Sequence, residues 1–245
     1  VILIHTHDGR TIETAAAPEQ PLEHIVFLTG LWAGVPLCAG LGRCGLCRVR
    51  FISSAPKPAA EEMKKLSEAA LESGWRLACL HPAEPCEIEL PEPVRASRKA
   101  TRDIPHTERF SLAIDLGTTT LQWSALSGAE VIAEGGELNP QNGLGGEVMS
   151  RLAHSLRPGG AETLRRLVSE RIRSLTLDLE RGTGGRCEAL CVSGNSVMTY
   201  LLLGLDGSTL AAAPYRLSYQ GGDERTIAKG IPRAYIPPLL AVRRG

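Results

Sequence analysis

The 245-residue chain balances 27 Lys plus Arg against 27 Asp plus Glu, and this zero net charge argues against a nucleic-acid binder or a polybasic membrane-surface protein. Hydrophobic residues make up 43% but aromatics only 4%, so the core is built mainly of Leu, Val, Ile and Ala. No apolar run approaches the ~18 residues of a membrane span, and the opening VILIHTHDGR lacks the basic lead and cleavage site of a secretory signal. Seven cysteines is an odd number outside a secretory context, which points to reduced thiols in a cytoplasmic protein. The chain begins at Val, so sequence upstream of it is expected to be missing.

Residues 1–4 and 11–13 read as strands around Asp8-Gly9, a strong hairpin signal. A helix is expected from about Pro21 to Gly34, with Leu22, Ile25, Val26, Thr29 and Trp32 or Ala33 on one face. After a Gly- and Cys-rich loop, RVRFI (48–52) alternates like a strand. EEMKKLSEAALE (61–72) reads as a second helix with Met63, Leu66, Ala70 and Leu71 inward, and CEIELP (86–91) as a further strand. These elements suggest a small α+β domain of the β-grasp kind over residues 1–92. Residues 93–109 are rich in proline and basic side chains without apolar periodicity, and read as a linker, with a basic docking surface for an acidic partner as the other reading.

From Phe110 an α/β pattern begins. FSLAID is a strand, LGTTT a turn, and LQWSAL a strand with Leu121, Trp123 and Ala125 on one face. Helices are expected over 145–156 (Val148, Met149, Leu152, Leu156) and 161–181 (Leu164, Leu167, Val168, Ile172, Leu175, Leu179). EALCVSG reads as a buried strand, and NSVMTYLLLG opens a helix capped by Asn195.

The loop LCAGLGRCGLCRV (37–49) poses the chemical question. Cys38, Cys44 and Cys47 have five and two residues between them, and Cys79 follows alone after thirty-one more. A structural zinc site prefers two C-x2-C arms, of which this chain has one. A redox C-x-x-C pair leaves Cys38 and Cys79 unexplained. A 2Fe–2S cluster accounts for all four, because one loop wraps it with three thiolates while a fourth arrives from elsewhere. Gly40, Gly42 and Gly45 let the backbone come close and aim N–H groups at sulfur. Cys86, Cys187 and Cys191 have no matching partners and read as small buried hydrophobes. His5, His7, His24, His81, His106 and His154 show no ligand spacing.

CAGLGRCGLCRV together with GWRLACLHP (74–82) resembles the 2Fe–2S ferredoxins of the plant and adrenal kind. The first gap is five residues where the plant type has four. That resemblance implies a β-grasp fold, ligation by Cys38, Cys44, Cys47 and Cys79, and a low-potential one-electron carrier.

In the second domain, AIDLGTTT (113–120) sets an Asp at a strand end ahead of a Gly and three hydroxyls. Such a turn can point N–H and hydroxyl groups at phosphate, and the Asp can hold hydrated magnesium. Taken alone it is equally an ordinary Thr-rich hairpin, and it lacks the Lys of a Walker loop. LNPQNGLGGEVMSRL (138–152) is a Gly-rich loop entering a helix. VSGNSVMTYLLLG (192–204) is a strand, a Gly-Asn turn and a helix start suited to anions, or simply a cap over core residues.

With the upstream ferredoxin pattern, these stretches resemble the ferredoxin-fused ATPases that reductively activate corrinoid proteins of methyltransferase systems. The resemblance runs to about Leu240. It implies that residues 110–245 form the first lobe of an actin-like (ribonuclease H-like) ATPase, truncated at its C-terminus. It also implies that Asp115, Gly117, Thr118 and Thr119 form the first phosphate loop, with Gly194 and Asn195 contributing to the nucleotide site. The segment 139–141 is characteristic of the family, without an assigned role. Gly145-Gly146-Glu147-Val148 stands where the family usually has Gly-Ala-Asp-Val. An actin-like ATPase clamps nucleotide between two lobes, so a chain with one is expected to bind ATP and Mg weakly or not at all.

The function implied is one-electron transfer from a low-potential donor to a corrinoid protein, taking Co(II) to Co(I), with ATP dependence in the full-length family. Two other functions compete with it: a general 2Fe–2S carrier with a vestigial or sensing nucleotide module, and a structural zinc protein that binds partners.

Overall fold

The computed structural model describes residues 1–239 apart from Arg98 and Arg102, with the Lys99 side chain also left out. Residues 240–245, the end of the lobe expected over 110–245, lie outside the described residues. The chain divides into two compact units, Val1–Ala96 and Ser97–Gly245.

The first unit opens with β1 (Ile2–His5) and β2 (Thr11–Thr14), joined through the Asp8-Gly9 turn, where Gly9 has φ +84°. Then follow β3 (Ala17–Pro21), α1 (Leu22–Leu28), β4 (Arg48–Phe51), α2 (Glu68–Glu72), β5 (Trp75–Leu77), a 3-10 turn (Ala78–Leu80), β6 (Pro82–Ala83) and β7 (Cys86–Glu89). Five strands form a mixed sheet in the order β2-β1-β7-β4-β5, in which only β1 and β7 run parallel. Ile2, Ile4, Val49, Leu77 and Ile88 are fully buried. Their alternation along the strands explains why this face turns inward. α1 packs on β3, β6 and the 3-10 turn. A hairpin, one main helix and a central parallel pair give the α+β arrangement expected of a β-grasp.

Two expected helices are shorter than their patterns suggest. α1 stops at Leu28 because the Thr29 hydroxyl turns back onto the Val26 carbonyl at 2.6 Å and Gly30 follows at φ +82°. Trp32 is still buried, but from a turn. In the stretch 61–72 only Glu68–Glu72 is helical, capped by Ser67. The Glu62 carboxylate accepts the N–H groups of Ala59 (2.7 Å) and Leu77 (2.5 Å) and holds the preceding residues in turns. Met63, expected inward, is exposed, whereas Leu66 is buried.

The second unit comprises β8 (Lys99–Ala100), β9 (Arg109–Leu116), β10 (Thr120–Ser127), β11 (Glu130–Leu138), a 3-10 turn (Asn142–Leu144), α3 (Val148–Ser155), α4 (Gly160–Thr183), β12 (Arg186–Gly194), α5 (Ser196–Leu203), α6 (Ser208–Ala211), β13 (Asp223–Arg225) and β14 (Ala234–Ile236). Seven strands form one sheet in the order β13-β14-β12-β9-β10-β11-β8. β9, β10 and β11 are an antiparallel meander, while β12 runs parallel to β9 and β14 parallel to β12. Strict alternation over β9 buries Phe110, Leu112, Ile114 and Leu116. α4 buries Leu164, Val168, Ile172, Leu175 and Leu179 along one stripe. Within the stretch read as linker, Lys99–Ala100 adds an edge strand opposite Gly135 and Gly136. α3 lies rotated from the face expected of it. Met149 and Leu156 are exposed, and Arg151, Leu152 and Ser155 turn inward.

Candidate functional site

The cysteine loop runs from the end of the α1 turns into β4 with almost no regular structure, so the shape of its backbone rests on glycine. Gly42 has φ +65°, and its N–H reaches the Cys79 sulfur. A side chain there would strain the backbone at the point where it must approach. The Cys38 sulfur accepts the N–H groups of Arg43 (3.3 Å) and Cys44 (3.5 Å), and the Cys44 sulfur accepts the Leu46 N–H at 3.5 Å. Amides aimed at sulfur favour thiolate over thiol.

The four sulfurs fall into two pairs. Cys38 and Cys44 share a side-chain hydrogen bond. Cys47 and Cys79 share another, and their sulfurs lie with a Glu23 oxygen within 4.8 Å of one another. Cys38 and Cys44 fall outside that group. The Cys47 thiol donates to Cys79, which holds Cys79 below the ordinary thiol range and Cys47 above it. Burial raises Cys44. The 3-10 turn carrying Cys79 is tied to the loop by the Ala78 N–H on the Cys47 carbonyl at 2.8 Å.

Two buried carboxylates border this centre, and sequence pattern marks neither. Glu23 is 1% exposed, on the second residue of α1. Neither of its oxygens has a hydrogen-bond partner of normal length, the Gly40 N–H approaching from further off. Burial, reinforced by the Cys79 sulfur, pushes its carboxyl up to about 8. Glu62, also fully buried, receives His81 Nε2 at 2.9 Å besides the two backbone amides. Of the six histidines, His81 therefore has a buried structural partner, and His5 pairs with Glu87 at 2.8 Å nearer the surface. Cys187 is buried as expected, while Cys86 and Cys191 are half-buried.

In the second unit, the parallel pairing of β9 with β12 sets Asp115 opposite Ser193 and Leu116 opposite Gly194. The turn 117–119 thereby comes beside the start of α5. Asn195 caps α5 through its side-chain oxygen on the Met198 N–H (2.9 Å), and its amide nitrogen donates to the Thr118 hydroxyl at 3.2 Å. A cavity of about 350 Å³, lined by Ser193, Gly194, Asn195, Ser196, Thr199 and Ile236, opens at these strand ends. Asp115, Gly117, Thr118, Gly194 and Asn195 are thus brought together at the C-terminal ends of β9 and β12. Thr119 is exposed on the turn.

Below the turn lies a layer that gives residues 139–141 a role and adds Arg151, which the sequence reading missed. Asn139 Nδ2 donates to the Gly117 carbonyl (2.7 Å) and the Asn139 N–H to the Thr119 carbonyl (2.8 Å). The fully buried Arg151 donates to the carbonyls of Thr118 (2.8 Å) and Gly145 (2.6 and 3.1 Å), with Gln141 Oε1 at 3.3 Å. Among the described residues no carboxylate pairs with it, and burial lowers its pKa to about 10. Glu147 forms the N-cap of α3, its N–H donating to the Ser150 hydroxyl at 3.2 Å.

A β-grasp unit with a four-cysteine centre, followed by an α/β unit with a Thr-rich turn at the ends of parallel strands, defines a ferredoxin-type protein fused to a second module. Residues 110–229 match the family described as the RACo middle region. A solved structure titled reductive activator for corrinoid, iron–sulfur protein aligns over 97% of this chain and 55% of its own, at 21% identity and a TM-score of 0.50. At that identity the likeness is one of fold, and the chain spans about half the length of that protein. A component of the Na(+)-translocating NADH-quinone reductase of Actinobacillus succinogenes is 35% identical over 63 residues, 25% of this chain and 15% of that protein. A ferredoxin of Trichomonas vaginalis aligns with 36% of this chain and 98% of its own at 21% identity, with a TM-score of 0.32.

Proposed function

We propose that this chain is an iron–sulfur electron-transfer protein that delivers electrons to a corrinoid protein, taking its cobalt from Co(II) to Co(I). The observation that carries this reading is the arrangement of the four sulfurs as two pairs. One tetrahedral zinc, with Zn–S near 2.3 Å, would draw all four to about 3.8 Å of each other. Two pairs fit a site with two metal ions, Cys38 and Cys44 holding one and Cys47 and Cys79 the other. Bound there, a 2Fe–2S cluster supplies one-electron exchange at low potential. The residues around it have their own tasks. The amides of Gly42, Arg43, Cys44 and Leu46 stabilise charge on sulfur. The Glu62–His81 pair holds the turn that carries Cys79.

The reading of a corrinoid partner is supported by the family match over residues 110–229 and by the fold shared with the activator over nearly the whole of this chain. A methyltransferase system and a low-potential donor complete the scheme. We assign the second unit as one lobe of an actin-like ATPase, with Asp115 toward a hydrated magnesium ion and Gly117, Thr118, Thr119, Gly194 and Asn195 toward nucleotide phosphate. Its supports are the meander followed by parallel strands and the open turn at their ends. Among the described residues, no helix is long and apolar enough to cross a membrane.

The deciding experiment is EPR of anaerobically purified protein before and after dithionite, with iron, sulfide and zinc measured per chain. A silent oxidised sample that gains a spin-half signal on reduction supports the reading. Zinc without sulfide ends it.

A further inference from the structure

The Thr-rich turn has its carbonyls on one side and its amides on the other. In a trans peptide the C=O and N–H point in opposite directions. The Gly117 carbonyl is held by Asn139 Nδ2 and the Thr118 carbonyl by Arg151 Nη1, both from beneath. The N–H groups of Thr118 and Thr119 must therefore face away from that layer, and among the described residues neither has a hydrogen-bond partner. Consecutive outward amides form an anion-binding concavity. Arg151 adds a second, independent feature, because its charge is completely buried, satisfied only by neutral acceptors, and lies one peptide plane below those amides. A buried cation without a carboxylate is costly, and an anion on the turn offsets that cost.

We propose that Arg151 is the positioning residue of an anion site on Thr118 and Thr119, and that the site takes a polyphosphate chain. Its guanidinium fork ties the Thr118 and Gly145 carbonyls together and so sets the direction of the amides above. Its charge draws the ligand without touching it. This inference rests on reading residues 115–119 as a phosphate loop, and extends that reading to a residue on α3.

The test is an amide NMR titration of the full chain with magnesium tripolyphosphate and, separately, with magnesium ATP. Wild type is compared with Arg151→Lys and Arg151→Met, and thermal melts check that each is folded. Lysine keeps the charge but cannot span both carbonyls. The expected result is tripolyphosphate shifts centred on Thr118 and Thr119, with Kd weakened about 10-fold by lysine and about 100-fold by methionine. If the methionine variant does not fold, the lysine variant decides. Tripolyphosphate bound at the turn with ATP not bound would sink the nucleotide reading and leave this one standing. ATP bound equally by wild type and both variants would sink this proposal and leave the nucleotide reading. No response of Thr118 and Thr119 to either anion overturns both.

Discussion

His81 Nε2 donates to the Glu62 carboxylate at 2.9 Å, and both side chains are buried. The same carboxylate accepts the Leu77 N–H, so Glu62 grips the chain on both sides of the 3-10 turn that presents Cys79. Removing it takes the acceptor from the buried Leu77 N–H and His81 Nε2 and from the half-buried Ala59 N–H. Breaking one buried charged partner costs about 3–5 kcal/mol. Glu62→Ala is expected to lower the urea midpoint by a corresponding amount and to reduce iron content. Glu62→Gln keeps an acceptor oxygen and should lose less of both. Equal stability of wild type and Glu62→Ala would show that the turn stands without this grip.

Cys79→Ser and Cys86→Ser separate ligation from packing. Cys79 lies against Cys47 and receives the Gly42 N–H, while Cys86 begins β7 opposite Ile2. The first variant should lose most of its iron and its reduced EPR signal, and the second should keep both. Equal iron loss in the two would overturn the ligand assignment.

The metal-free protein should carry a pH signature from Glu23. Its carboxyl has a folded value of about 8 against an ordinary 4.5, with burial as the main cause. A raised folded value means that the folded state holds the proton more tightly. The stabilisation is full below pH 4.5, falls as pH rises between 4.5 and 8, and is gone above that. The loss across this window is on the order of 5 kcal/mol. Glu23→Gln should flatten the slope in denaturant titrations of metal-free protein. An unchanged slope would mean that the carboxyl ionises without penalty.

The features legible in the sequence are those whose signal is local. The Asp8-Gly9 hairpin, the alternation of β9 and β10, and the Asn195 cap each depend on near neighbours, and each is found where its pattern lies. Glu23, Glu62 and Arg151 were illegible because they break the rule that charges face water. Their burial is decided by partners at a distance in sequence, such as Leu77 for Glu62 and Thr118 for Arg151. The same long-range contacts explain the shortened helices. Helical period over 61–72 loses to a carboxylate pulled inward, and Met149 and Leu156 stay exposed while Arg151 turns inward beside Leu152.

Gly194 tests how tightly the strand ends that carry the candidate nucleotide site are packed. A Cβ at this position would lie 2.9 Å from the Leu116 carbonyl oxygen and 3.5 Å from the Cβ atoms of Leu116 and Met198. Leu116 is its register partner across β9 and β12, so relief requires the two strands to part just below the Thr-rich turn. Overpacking of this kind costs about 1–3 kcal/mol. Gly136, in β11 of the same sheet, provides the control, because a Cβ there meets Gln122 Cγ at 3.7 Å and the Leu121 carbonyl at 3.8 Å, which are ordinary contacts. Gly194→Ala should therefore lower the urea midpoint and move the amide resonances of Thr118 and Thr119. Gly136→Ala should leave stability within about 0.5 kcal/mol of wild type. If both variants behave alike, the Leu116–Gly194 junction has room to spare, and the spacing of the two strands does not depend on glycine.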